Sequence, residues 1–191
     1  KMIEEDFFNH DDPITGAVGA YQDKFLYFDK TTGQIYNTKG RTMLMGSPIV
    51  SGNVIAFSSP SPLYNYYTQL AYYETNTKRL VHTDLSMSGG EGRIDVHGGK
   101  IAFISYEGVS GANFSGTDLN NDGDTKDFIL RYHDINLSAA VNTGAEIKIS
   151  AGLSASDYLI AFVTSELSLG GDLNGDGDTV DDVLRYYDFS N

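Results

Sequence analysis

Two ten-residue stretches concentrate the side chains most able to do chemistry: Asp118-Leu-Asn120-Asn-Asp122-Gly123-Asp124-Thr-Lys-Asp127 and Asp172-Leu-Asn174-Gly-Asp176-Gly177-Asp178-Thr-Val-Asp181. Oxygen-bearing side chains fall at positions 1, 3, 5, 7 and 10, with Gly at position 6. A hard cation such as calcium needs six to eight oxygen ligands, and alternate residues of a tightly turning loop can aim several of them at one centre. The glycine permits the sharp turn. So many carboxylates in ten residues repel, at about 1 kcal/mol per close pair even in water, unless a cation enters. Solvated acidic turns are the plainer alternative, since Asp, Asn and Gly are ordinary turn formers. Two near-identical copies argue against it, because a turn needs only two or three such residues.

The expected ligands are therefore Asp118, Asn120, Asp122, Asp124 and Asp127 for one calcium ion, and Asp172, Asn174, Asp176, Asp178 and Asp181 for a second. Position 7 serves through its side chain or through its backbone carbonyl. Asp182 falls outside the expected shell. Glu107 and Glu166 occupy equivalent places ahead of the two loops, where the second repeat has Ser61. Each either supplies a further carboxylate or stands exposed at a strand end. Position 12, where an EF-hand places a bidentate Glu, holds Ile129 and Val183, and no helical pattern flanks either loop, so neither is an EF-hand.

The elements that position these loops repeat along the chain. Phe25-Leu-Tyr-Phe-Asp29, Leu70-Ala-Tyr-Tyr-Glu74, Leu130-Arg-Tyr-His-Asp134 and Leu184-Arg-Tyr-Tyr-Asp188 align without gaps, each reading as a strand that ends in an acid. Upstream of each lies a second shared segment, read as one strand: Ile14 to Tyr21, Val50 to Phe57, Gly98 to Phe103 and Asp157 to Phe162. Downstream of the first three lie Ile35 to Thr38, Leu80 to Thr83 and Ala140 to Thr143. Short strands such as Arg93 to Val96 and Glu146 to Ile149 lead into the next unit. That predicts an all-β chain of four antiparallel four-stranded repeats, approximately 11–40, 46–86, 93–144 and 146–191, in one domain spanning 1–191. Four-stranded units at this period, with Gly-rich turns and no predicted helix, point to the blades of a β-propeller, with a β-sandwich as the alternative. The third-strand segment occurs four times and the outer strand after it three times. Residues 1–10, with Ile3, Phe7 and Phe8, could close that open edge within one chain or between two in a homodimer, whereas in a piece of a larger propeller the edges would stay open.

The loops resemble the Asp-x-Asn-x-Asp-Gly calcium loops of repeat proteins, including integrin-type propeller blades and the Asp-Leu-Asn-Gly-Asp-Gly-Asp-Thr repeats of secreted bacterial and archaeal proteins. The strands around them resemble TolB-type propeller repeats. The likeness covers the third and fourth repeats well, and the first two through strand pattern alone. Integrin-type loops keep an acid at position 9, which here is Lys126 or Val180, so the closing ligand shifts to Asp127 and Asp181. The resemblance implies an extracellular, calcium-binding module, secreted or on a cell surface, that serves as a protein-binding or structural scaffold.

The rest of the composition narrows the field. A formal net charge of −13 opposes binding to nucleic acid or to an anionic membrane. The longest apolar run, Tyr158 to Val163, is far too short to span a membrane, and the N-terminus shows no signal-peptide pattern, as expected of a soluble or mature form. Absence of cysteine excludes disulfides and thiolate metal sites. No nucleophile elbow, His-Glu-x-x-His, phosphate loop or dinucleotide fingerprint is present, so no enzymatic activity is expected. His10, His82, His97 and His133 share no ligand spacing. The second repeat replaces the acidic loop with Pro60-Ser-Pro62-Leu-Tyr64-Asn-Tyr66-Tyr67. Its tyrosines either pack between repeats or stack on a glycan or protein partner, the latter making a carbohydrate-recognition or glycan-active domain the alternative function. Asn113-Phe-Ser115 and Asn136-Leu-Ser138 are glycosylation sequons.

Overall fold

In the computed structural model, residues 22–43, 48–60, 68–87, 94–108 and 116–189 are described. The segment 1–10, the stretch Ile14 to Tyr21, Tyr64, Tyr66, Tyr67 and the Asn113 sequon lie outside them. Every strand pairing is antiparallel, and each sheet is built from strands consecutive in the chain. Sheet one holds β1 (Gln22–Asp29) and β2 (Gln34–Met43). Sheet two holds β3 (Ile49–Ser51), β4 (Val54–Pro60), β5 (Thr68–Glu74) and β6 (Arg79–Met87). Sheet three holds β7 (Ile94–His97), β8 (Lys100–Tyr106), β9 (Phe128–Asp134) and β10 (Ala139–Glu146). Sheet four holds β11 (Leu153–Ala155), β12 (Leu159–Ser165) and β13 (Asp182–Asp188).

The chain is thus all-β in four antiparallel sheets, of which two have the expected four strands among the described residues. Two sequence expectations need correction. Val50 to Phe57 is a hairpin rather than one strand, because Gly52 takes φ +57° and turns β3 into β4. Glu146 to Ile149 is not the strand that leads into the fourth repeat. Glu146 ends β10, Lys148 donates its amide to Val163, and β11 forms later at Leu153–Ala155.

The four Tyr-containing segments are β1, β5, β9 and β13, and their closing acid has a local cause. Asp29 Oδ1 accepts the amides of Thr31 and Thr32, and Asp134 Oδ1 those of Asn136 and Leu137, so the acid caps the turn that reverses the chain. The downstream segments share a bulge. Thr83 and Thr143 donate their hydroxyls to the carbonyls of Leu70 and Leu130, and the next residue, Asp84 or Gly144, turns to positive φ. Between β7 and β8 the two-residue turn needs positive φ at both Gly98 and Gly99. A Cβ on Gly98 would meet Asp157 Oδ1 at 2.5 Å, but that exposed side chain can move aside, so it is the positive φ that calls for glycine there.

Strand alternation sends opposite side chains to opposite neighbours. Ile55, Phe57, Ala71 and Tyr73 pack towards Tyr27 of sheet one. Val54, Ala56, Leu70 and Tyr72 meet Ile94, Val96, Ile101 and Phe103 of sheet three. Ala102, Ile104 and Leu130 in turn meet Ile160 and Phe162 of sheet four. Among the described residues the core is therefore three layers between successive sheets. Sheets three and four each leave a long connection between their second and third strands, and these connections are the acidic loops.

Candidate metal centre

Each acidic loop is shaped by its own side chains. Asp118 accepts amides through both carboxylate oxygens, from Asn121 and Asp122 on Oδ1 and from Gly123 on Oδ2, at 2.6 to 3.2 Å. Asn120 Oδ1 accepts from Asp122, Asp122 Oδ1 from Asp124, and Asp124 Oδ1 from Lys126. In the second loop Asp172 takes the amides of Gly175 and Gly177, Asn174 that of Asp176, Asp176 that of Asp178, and Asp178 that of Val180. Positions 1, 3, 5 and 7 thus repeat one network of side chain to backbone bonds, which coils the chain around these side chains. Gly123 and Gly177, at φ +101° and +102°, supply the turn that a side chain would strain.

Glu107 and Glu166 anchor the loops from beneath. They are 2% and 0% exposed, so the sequence alternative of a solvent-facing glutamate is corrected. Glu107 Oε1 accepts the amides of Leu119 and Asn120, and Oε2 that of Asp127. Glu166 holds Leu173, Asn174 and Asp181 in the same way. Three amide donors offset the cost of burying each carboxylate. Glu166 opens a single helical turn, α1 (Glu166–Leu169), closed by Gly170 at φ +68°. The pattern of β-strand residues had given no sign of that helix.

The result is a convergence of carboxylates. One oxygen each of Glu107, Asp124 and Asp127 lies within 4.8 Å of the others, as does one each of Glu166, Asp178 and Asp181. Positions 7 and 10 of both loops therefore meet the buried glutamate. The carboxylates of Asp118 and Asp172 lie outside these triads, at the loop amides described above, while those of Asp122 and Asp176 adjoin the triads through Asp127 and Asp181. Asn120 Nδ2 and Asn174 Nδ2 reach the Asp122 and Asp176 carboxylates at 3.0 and 3.1 Å. Asp182 stands apart, paired with Lys148. Two supports escaped the sequence reading: Asn142 Nδ2 donates to the Leu119 carbonyl, and the Glu146 charge acts on Asp127. The three described histidines take no part. His97 pairs with Asp157 at 2.8 Å, His82 lies 3.2 Å from Gln69 Nε2, and His133 is buried beside Tyr72.

The crowding shows in the acidities. Burial, then the charge of Glu146 and the neighbouring Asp122, push Asp127 up to about 6. Asp122 is held below its usual value, first by the Asp124 amide. Asp181 is raised, first by its hydrogen bond with Asp176, which is itself lowered by the Asp178 amide. A carboxyl raised in the folded chain binds more protons folded than unfolded, so its contribution is complete below 3.8 and is lost as pH rises through about 6. A cation has the opposite dependence because it must displace that proton. The affinity of any cation that binds through Asp127 should fall about tenfold from roughly pH 7.5 to roughly pH 5, as expected for competition with one proton of that acidity. Calorimetric titration at the two pH values checks this, and equal affinities would exclude Asp127 from the site.

No family model matches the chain, and neither does any curated protein. Among solved structures, the crystal structure of TolB from Acinetobacter baumannii is similar at 15% identity and a TM-score of 0.32, over 75% of this chain and 46% of that one. The chain thus spans less than half the length of that protein. No described helix is long and apolar enough to cross a membrane.

Proposed function

We propose that this chain is a calcium-binding repeat module of the β-propeller type, in which two loops each hold one ion and the ordered loops form part of an extracellular binding or structural scaffold. The observation that carries the reading is the duplicated triad. Two loops in successive sheets bring together the same three carboxylates, with the same supporting amide bonds. The donor set is oxygen alone, and the described residues offer no histidine at either triad, which suits a hard cation over zinc or copper. Calcium is favoured over magnesium because the loop offers many carboxylate and amide oxygens in an open arrangement, whereas magnesium demands near-ideal octahedral geometry and keeps its waters. Affinities on the order of 0.1 to 1 mM, usual for extracellular modules, match the millimolar calcium outside cells.

Calorimetric titration with calcium should show two ions per chain. Asp178→Asn should leave one, because it removes a triad carboxylate from the second loop. Asp182→Asn should leave two, since that side chain is engaged with Lys148. Equal losses in both variants would mean diffuse attraction by the acidic surface, and the proposal would fail.

A further inference from the structure

The repeat pattern breaks at one buried position. Before the closing acid of the Tyr-containing strand stand Phe28 in β1, Tyr73 in β5 and Tyr187 in β13, an uncharged ring each time, but His133 in β9. The imidazole is 6% exposed and lies in the layer between sheets two and three, 5.6 Å from the Tyr72 ring. Neither of its nitrogens has a hydrogen-bond partner among the described residues. A buried polar atom left unpaired costs stability, so packing alone would be better served by the Phe or Tyr of the sister repeats. The surroundings also give a proton on that ring no counter-charge. From β5 the ring faces Tyr72, and its ladder partners are Ile101 in β8 and Ala140 in β10. Glu74, beyond Tyr72 in β5, is engaged by Arg79 at 2.9 Å. Asp134 gives Oδ1 to the amides of Asn136 and Leu137. Lys100 turns away, over the Phe189 ring, and Arg131 in the same strand adds a second positive charge.

We propose that His133 is an acid-sensitive lock on the layer between sheets two and three: neutral, it packs as the aromatic ring its position calls for, and protonated, it parts the two sheets. An imidazolium needs water or a carboxylate, and this ring meets water only when the layer opens. Burial holds His133 below its ordinary value of 6.5, against a smaller opposing pull from the Asp134 charge. The neutral ring is therefore favoured in the fold, so its contribution is complete above 6.5 and is lost as pH falls below that value. Asp127 behaves in the opposite sense, since the folded chain favours its protonated form. The lock does not depend on cation binding at the acidic loops, which lie at the other end of β9.

Denaturant unfolding in chelator tests this without any contribution from bound cation. The wild-type unfolding constant should rise by up to about tenfold for each pH unit below 6.5. His133→Phe, the residue of the first repeat at this position, should be at least as stable near neutral pH and should lose that part of the acid limb. Carboxylates titrate in both proteins, so the difference between the two curves is the reading. His133→Tyr, matching Tyr73 and Tyr187, should behave alike. His97→Gln should keep the wild-type limb, because His97 is exposed and paired with Asp157. In a magnetic-resonance titration the His133 ring should stay neutral at a pH where the His97 ring has already taken up its proton. Binding of a dye that reports exposed apolar surface should rise in mild acid in the wild type and not in His133→Phe. A His133→Phe curve parallel to the wild type, a His133 ring that titrates together with His97, or equal dye binding in the two proteins would each overturn the proposal.

Discussion

Glu166→Ala is expected to abolish cation binding at the second loop and to lower the melting temperature by roughly 6 to 12 °C. The carboxylate is wholly buried and accepts three backbone amides, those of Leu173, Asn174 and Asp181. A hydrogen bond to a charged group contributes on the order of 1.5 to 3 kcal/mol, and an unsatisfied buried donor costs about as much. The loop is partly open to water, which can re-satisfy some of these donors, so the net loss should be roughly 3 kcal/mol rather than the full sum. For a domain of this size each kcal/mol corresponds to about 2 to 4 °C. Glu166→Gln separates the two roles of the side chain. Its amide oxygen can still accept from Leu173 and Asn174, so much of the stability should remain, while the lost charge weakens the triad. Thermal melts paired with calcium titration read both effects. An alanine variant that melts as the wild type and still binds two ions would remove Glu166 from the site and from the support of its loop.

How far the sequence reached follows from what kind of interaction makes each part. Strands β5, β9 and β13 were legible because short runs dense in apolar and aromatic residues suit a strand, β5 being buried on both faces, and their ends were legible because an acid capping a turn is a local event. The loop network was legible for the same reason: each Asp or Asn at positions 1, 3, 5 and 7 acts on amides two to five residues ahead. Glu107 and Glu166 were only half legible. Glu107 precedes its loop by more residues than Glu166 does, because the intervening chain differs in length, so no fixed spacing marks the pair as partners of positions 7 and 10. The signal that did exist was positional, a Glu after the same strand in both acidic repeats and absent from the second. Its burial depended on three loop amides converging on it, which no single window of sequence contains. The misplaced short strand at Glu146 to Ile149 has a related origin. Its residues alternate as a strand should, but the bulge after Thr143 carries them from the edge of sheet three across to Val163 of sheet four.

Phe103→Ala should be among the most damaging single changes in the described sheets, at about 3 to 5 kcal/mol. The ring is fully buried in the layer between sheets two and three, among Val54, Ala56, Leu70, Tyr72 and Ile101. The Arg131 guanidinium lies 5.6 Å from its centroid, so truncation also removes a cation–π partner from a half-buried charge. The neighbours that would have to collapse into the space come from two hydrogen-bonded sheets, β4 and β5 on one side and β7 and β8 on the other. Backbone pairing holds them in register, which keeps the cavity open and the cost near the upper end. Leu137→Ala provides the comparison. That side chain sits in the turn after β9 at 75% exposure, so its loss should change stability by no more than about 0.5 kcal/mol. Chemical denaturation of both variants decides the matter through the midpoint at constant slope. Similar midpoints would mean that the layer between sheets two and three is not a packed core, and the stacked arrangement that places both acidic loops would fall with it.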